Sequence, residues 1–177
     1  CDPGHYCPKG TSYADQYPCP AGTYTDETNL TSATHDCPER FACFSGSTSN
    51  DWSPCGEGHW CPENTPTRTS YPCSAGSFTN RTDLAADSEC YPCPLGEWCG
   101  GSGSPEPDGP CEVSCFCRGS AGLADVSKLH DIAYPYQVGY YCPLRTAAAT
   151  DYPCPAGTFS DSTSLYLEAQ CEDCPPG

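Results

Sequence analysis

Cys19-Pro-Ala-Gly-Thr-Tyr-Thr-Asp26, Cys73-Ser-Ala-Gly-Ser-Phe-Thr-Asn80 and Cys154-Pro-Ala-Gly-Thr-Phe-Ser-Asp161 are near copies, each preceded by Tyr-Pro and by another cysteine twelve positions earlier. Around them the spacing C-x5-C-x11-C recurs at Cys1/Cys7/Cys19, Cys37/Cys43/Cys55, Cys55/Cys61/Cys73 and Cys93/Cys99/Cys111. A second signature, G-x-[YW]-C, ends at Cys7, Cys61, Cys99 and Cys142, and a C-x2-C step joins Cys90 to Cys93 and Cys171 to Cys174. Self-similarity at this period marks an array whose modules contact mainly their neighbours.

Composition says what can hold such modules together. Leu, Ile, Val and Phe total 17 of 177 residues, a share that with a net charge of -16 normally signals disorder. The 18 cysteines reverse that reading, because a disulfide scaffold replaces the core that the chain cannot build. Pro (20) and Gly (17) interrupt the chain so often that only short elements fit. The expected fold is a small disulfide-rich tandem array of cysteine-rich modules with short β-hairpins and little helix. The Gly-Thr-Tyr-Thr, Gly-Ser-Phe-Thr and Gly-Thr-Phe-Ser pieces read as first strands of hairpins.

The modules are expected at 1–37 (start incomplete), 38–54 (truncated), 55–92, 93–116 (short), 117–173, and 174–177 as the start of another. Residues 118–139 read as an insertion in which Leu123, Val126, Leu129 and Ile132 form the stripe of a short helix, with Ser120 as cap and Pro135 as stop. Cys1 stands where the second cysteine of a C-x2-C step belongs, no leader or membrane-spanning run is present, and Cys174-Pro-Pro-Gly177 opens a new signature. The parent protein is therefore expected to continue in both directions.

Spacing alone leaves the pairing open. One scheme joins Cys1 to Cys19, Cys7 to Cys37, Cys55 to Cys73, Cys61 to Cys90, Cys93 to Cys111, Cys99 to Cys115, Cys117 to Cys154 and Cys142 to Cys171. It sends Cys174 into a further module and leaves Cys43 unpaired, a candidate for an intermolecular bridge. The competing scheme joins the cysteines that flank each hairpin: Cys19 to Cys37, Cys73 to Cys90 and Cys154 to Cys171.

The residues point away from most chemistry. Zinc or dithiol redox sites need paired C-x2-C steps of reduced thiols or a helix start in an α/β fold, and neither context is present. His5 and His59 share one repeat position, which argues for a common structural hydrogen bond. The Gly-rich run 100–109 is a loop variant, and no nucleophile elbow, zincin or phosphate-loop motif occurs. The chain reads as non-enzymatic and without a cofactor. Acidity excludes nucleic acid and anionic membranes as partners, and the scattered acidic residues Asp26, Glu27, Asp83, Asp87 and Asp161 form no Ca2+ loop, so Ca2+ is a minor expectation. Asn29-Leu-Thr31 and Asn80-Arg-Thr82 are acceptor sequons for N-glycans in the same hairpin region of two modules, whereas Asn64-Thr-Pro is not one.

Cys19 to Leu30, Cys154 to Leu165 with Cys171 to Gly177, and more loosely Cys73 to Cys93 carry the run C-P-A-G-T-Y-x-D-x-T-x-L ending in C-x-x-C-P-x-G. This run resembles the ephrin-receptor-like cysteine-rich repeat, related to EGF-like and TNF-receptor modules, as found in mastigoneme-type filament glycoproteins of algal and protist flagella. The resemblance implies an extracellular structural glycoprotein that self-associates, or joins other structural proteins, into a filament or surface fibre. The alternative is the ectodomain of a receptor or adhesin that binds a protein or glycan. Cys43 and the stripe Leu123, Val126, Leu129 and Ile132 are the expected assembly surfaces.

Overall fold

The computed structural model describes residues 1–33, 35–113, 116–117 and 138–176. The helical insertion, its stripe Leu123, Val126, Leu129 and Ile132, and Cys115 lie outside these residues.

The fold grows out of one turn. A residue with positive φ stands three places after Cys1, Cys7, Cys19, Cys37, Cys43, Cys55, Cys61, Cys73, Cys93, Cys142 and Cys154. Most are glycine, but Arg40 (φ 75°), Asn64 (φ 66°) and Arg145 (φ 68°) hold the same conformation. With the third residue left-handed the chain reverses, as at the third position of a type II turn. The next N–H then donates back to the residue after the cysteine: Thr11 to Pro8 O (3.1 Å), Thr23 to Pro20 O (3.0 Å), Thr158 to Pro155 O (3.0 Å). A hydroxyl at that place donates to the same carbonyl, as at Thr11, Thr23, Thr65, Ser77, Thr146 and Thr158.

Where this turn lies between them, the two cysteines of a C-x5-C are folded back to face one another. Disulfides close Cys1–Cys7, Cys37–Cys43, Cys55–Cys61, Cys93–Cys99 and Cys111–Cys117, with Cα–Cα distances of 5.7–6.0 Å. Two longer loops close at Cys73–Cys90 and Cys154–Cys171. These pairs replace the scheme that joined first to third and second to fourth cysteines. Cys43, expected without a partner, is bonded to Cys37 and wholly buried. The hairpin-flanking scheme holds at Cys73–Cys90 and Cys154–Cys171 and fails at Cys19, because Cys37 is already taken. The physical reason at Cys1–Cys7, Cys37–Cys43, Cys55–Cys61 and Cys93–Cys99 is the left-handed residue midway between the two cysteines, which brings residues six apart within bonding distance.

Among the described residues ten two-residue strands follow: β1 (Thr23–Tyr24), β2 (His35–Asp36), β3 (Phe41–Ala42), β4 (Ser53–Pro54), β5 (Ser77–Phe78), β6 (Tyr91–Pro92), β7 (Glu97–Trp98), β8 (Gly109–Pro110), β9 (Thr158–Phe159) and β10 (Glu172–Asp173). They form two-stranded sheets, with β1/β2, β3/β4, β7/β8 and β9/β10 antiparallel. The β-rich pieces expected to open hairpins are β1, β5 and β9. Single 3-10 turns at Asp87–Glu89 and Glu168–Gln170 lead into Cys90 and Cys171, and the described residues contain no α-helix.

Contacts divide the chain into two compact bodies. The first comprises Cys1–Cys73, Thr79–Tyr91 and Gly103–Pro105; the second comprises Ser74–Phe78, Pro92–Ser102 and Glu106–Gly177. In the first body Gly22 N–H donates to Cys43 O, Gly46 N–H to Cys19 O and Thr25 N–H to Ser47 O. Eighteen residues on, Arg40 donates to Cys61 O, Asn64 to Cys37 O and Cys43 to Thr65 O. The second body repeats parts of this set, with Gly76 bonded to Cys99 O, Gly96 to Cys117 O, Arg145 to Cys111 O and Cys117 to Thr146 O. Within each body, backbone bonds thus tie several cysteine steps to their neighbours. The buried residues are chiefly cysteines, with Leu84 and the threonines Thr25, Thr65, Thr79 and Thr146 filling the gaps between them.

Candidate functional site

The loops between β1 and β2 and between β5 and β6 carry the two acceptor sequons. Leu84 and Leu165 are buried, and the carbonyls of Leu30, Leu84 and Leu165 accept from the N–H of Cys7, Cys61 and Cys142, pinning each loop. Asn29 stands just before Leu30, exposed and left-handed (φ 63°), and Asn80 stands four residues before Leu84, also exposed. The two acceptors therefore occupy the same loop but different places in it. Asn64 has another role, since its N–H ties one cysteine step to the next.

Thiols are the second feature. Cys19 is completely buried and unbonded, and burial pushes its thiol pKa up, which disfavours the reactive thiolate. Cys174 is exposed and unbonded; it holds the place of Cys37 and Cys93, its N–H donating to Gly157 O as theirs do to Gly22 O and Gly76 O. The sequence held a sign of the Cys19 thiol that spacing analysis passed over. Thr34-x2-Cys37 stands where the other hairpins have Cys90-x2-Cys93 and Cys171-x2-Cys174, so position 34 lacks the cysteine that closes its counterparts.

Around that hairpin an aromatic group has gathered. Tyr24 packs edge-on against Trp52 with ring centroids 4.9 Å apart, and also against His35 at 5.4 Å; Phe41 meets Trp52 at 5.7 Å. Such pairs add about 0.5–1.5 kcal/mol each beyond area burial. Elsewhere Tyr6/Tyr17, Trp60/Tyr71 and Tyr141/Tyr152 repeat one contact, at 4.9–5.8 Å, between the aromatic before a cysteine and the tyrosine of the following Tyr-Pro-Cys.

His5 and His59 each place Nδ1 against a carbonyl two residues earlier, Pro3 O at 3.2 Å and Glu57 O at 2.8 Å, the shared structural contact that their common position suggested. The arginines at glycine positions are put to use. Arg40 reaches Asp83 O and Glu89, and Arg145 pairs with Glu97. Asp26 Oδ1 accepts from Ser49 N–H (2.8 Å), and the Ser49 hydroxyl first and this N–H second lower the carboxyl pKa. Arg81 and Asp83 form a two-bond pair that lowers the Asp83 carboxyl.

Among the described residues no three His, Cys, Asp or Glu side chains converge to hold a metal, and no helix is long and apolar enough to cross a membrane. Cys90, Cys93 and Cys171 of the C-x2-C steps are bonded to three different partners. No protein-family model and no curated protein matches the chain.

Proposed function

We propose that this chain is a segment of an extracellular structural glycoprotein that assembles into a filament or surface fibre, of the ephrin-receptor-like cysteine-rich kind seen in mastigoneme-type glycoproteins. The observation that carries this reading is the repeated tie between cysteine steps. The same backbone bonds recur 18 residues apart at Gly22 and Arg40, and are met again at Gly76 and at Gly96, braced by disulfides, a construction suited to bearing tension and open to repetition. Disulfides at this density belong to an oxidising compartment outside the cell or on the secretory route. Exposed Asn29 and Asn80 are suited to carry N-glycans there, and the role is non-enzymatic.

Electron microscopy of native material tests the assembly. Filaments or a fibrous coat are expected; single particles tethered to a membrane would instead favour a receptor or adhesin ectodomain. Mass spectrometry of the same material should find glycan on Asn29 and Asn80 and none on Asn64. Two bare acceptors would remove the glycoprotein part of the reading.

A further inference from the structure

The last hairpin presents backbone groups whose counterparts earlier in the chain are all bonded. Gly157 N–H has the place of Gly22 N–H, which donates to Cys43 O, and of Gly76 N–H, which donates to Cys99 O. Cys154 O has the place of Cys19 O, which accepts from Gly46, and Ser160 N–H that of Thr25 N–H, which donates to Ser47 O. Among the described residues none of these three groups has a backbone partner. The surface agrees. A Cβ built on Gly22 would meet Asn64 O at 2.7 Å, whereas one built on Gly157 meets nothing within 4 Å. Phe159 is 40% exposed on the strand between these groups.

We infer that this edge is a docking site for one further cysteine step of the same design, bridged through Cys174. The bonds define the chemistry of the occupant: a C-x5-C loop whose second cysteine carbonyl meets Gly157 N–H. Next comes a left-handed residue whose N–H meets Cys154 O, then a Ser or Thr carbonyl for Ser160 N–H. Cys43-Phe-Ser-Gly46-Ser47 is such a segment, and Cys61-Pro-Glu-Asn64-Thr65 is another.

A second copy of the chain carries matching groups, since Cys7 O, Gly10 N–H and Thr11 O are also without backbone partners among the described residues. To bring them to the edge, however, its Cys1 must take the place where Cys174 is already bonded to Gly157 O. The Cys174 bond therefore keeps a second copy off this edge, and lateral contacts are left to join copies. This inference does not depend on the filament reading.

The test appends a copy of residues 97–110 after Gly177, which aligns with Gly96, so that a cysteine falls six residues beyond Cys174. Hydrogen exchange and non-reducing peptide mapping are then compared with those of the chain as it stands. Amide exchange at Gly157 and Ser160 should slow by roughly tenfold or more towards the rates of Gly76 and Thr79, and Cys174 should bridge to the new cysteine. Fast exchange at both amides in the extended chain, or a missing bridge, overturns the inference. So does protection that rises with concentration in the unextended chain, which would show a second copy seated there. Gly157→Val in the extended chain should lose the protection while the Cys154–Cys171 peptide stays linked.

Discussion

Cys19 shows how much one substitution in a repeat changes. The hairpin at Cys73 is closed by Cys90 and the one at Cys154 by Cys171, but position 34 is threonine, and the Cys19 thiol is left buried. Thr34→Cys should therefore let Cys19 bridge to the introduced thiol and raise stability by about 3 kcal/mol, the entropy of a ~15-residue loop. Peptide mapping and a denaturant titration check this; a persistent Cys19 thiol in the variant would mean that the hairpin does not share its counterparts' geometry. In the unmodified chain under native conditions an alkylating reagent should label Cys174 and spare Cys19 until denaturant is added. Asp26 gives a pH dependence. Its folded pKa is depressed by the Ser49 hydroxyl and, after it, the Ser49 N–H, so its contribution is present above the unfolded value of about 3.9 and is lost as pH falls through the folded value. Thermal melts of Asp26→Asn should lie below those of the parent at pH 6 and converge with them in stronger acid; curves that stay parallel would contradict the assignment.

Within the element, the left-handed turn matters more than the strands, each of which is only two residues long. Gly22 and Gly157 share a φ of 91° but differ in what lies beyond the missing Cβ. Alanine at either position bears the left-handed penalty of about 1–2 kcal/mol. At Gly22 it also drives a methyl into the Asn64 carbonyl and breaks a tie between two cysteine steps. Gly22→Ala should thus cost at least about 1 kcal/mol more than Gly157→Ala. Equal losses on denaturant titration would show that Asn64 yields freely. Arg40 escapes the glycine rule for a visible reason: at φ 75° its side chain leaves the turn and reaches Asp83 O and Glu89.

For the whole molecule, covalent bonds do what apolar burial does in ordinary domains. With few Leu, Ile, Val or Phe and a net charge of -16, the reduced chain has little to offset conformational entropy and self-repulsion. Reductant at neutral pH should abolish the near-UV circular dichroism of the aromatic pairs without heat or denaturant. Retention of that signal with all thiols titratable would show that the backbone ties alone suffice.

The repeat, the hairpin starts at Thr23, Ser77 and Thr158, and the disulfide-dense class were legible because each is written in local spacing and composition. The shared contact of His5 and His59 was legible for the same reason. Pairing was not, since a spacing names the cysteines without saying which ones meet. That choice fell to the left-handed residue between the paired cysteines of a C-x5-C loop, a backbone state that Arg40, and Asn64 and Arg145 elsewhere, adopt as fully as glycine. The Cys19 thiol was written only indirectly, as the threonine at position 34, and the unsatisfied edge at Gly157 was hidden, because a free N–H is defined by what packs beside it. Sequence determined the units and their chemistry; tertiary structure decided which groups each unit satisfies in its neighbour, since hydrogen bonds and disulfides depend on distance in space.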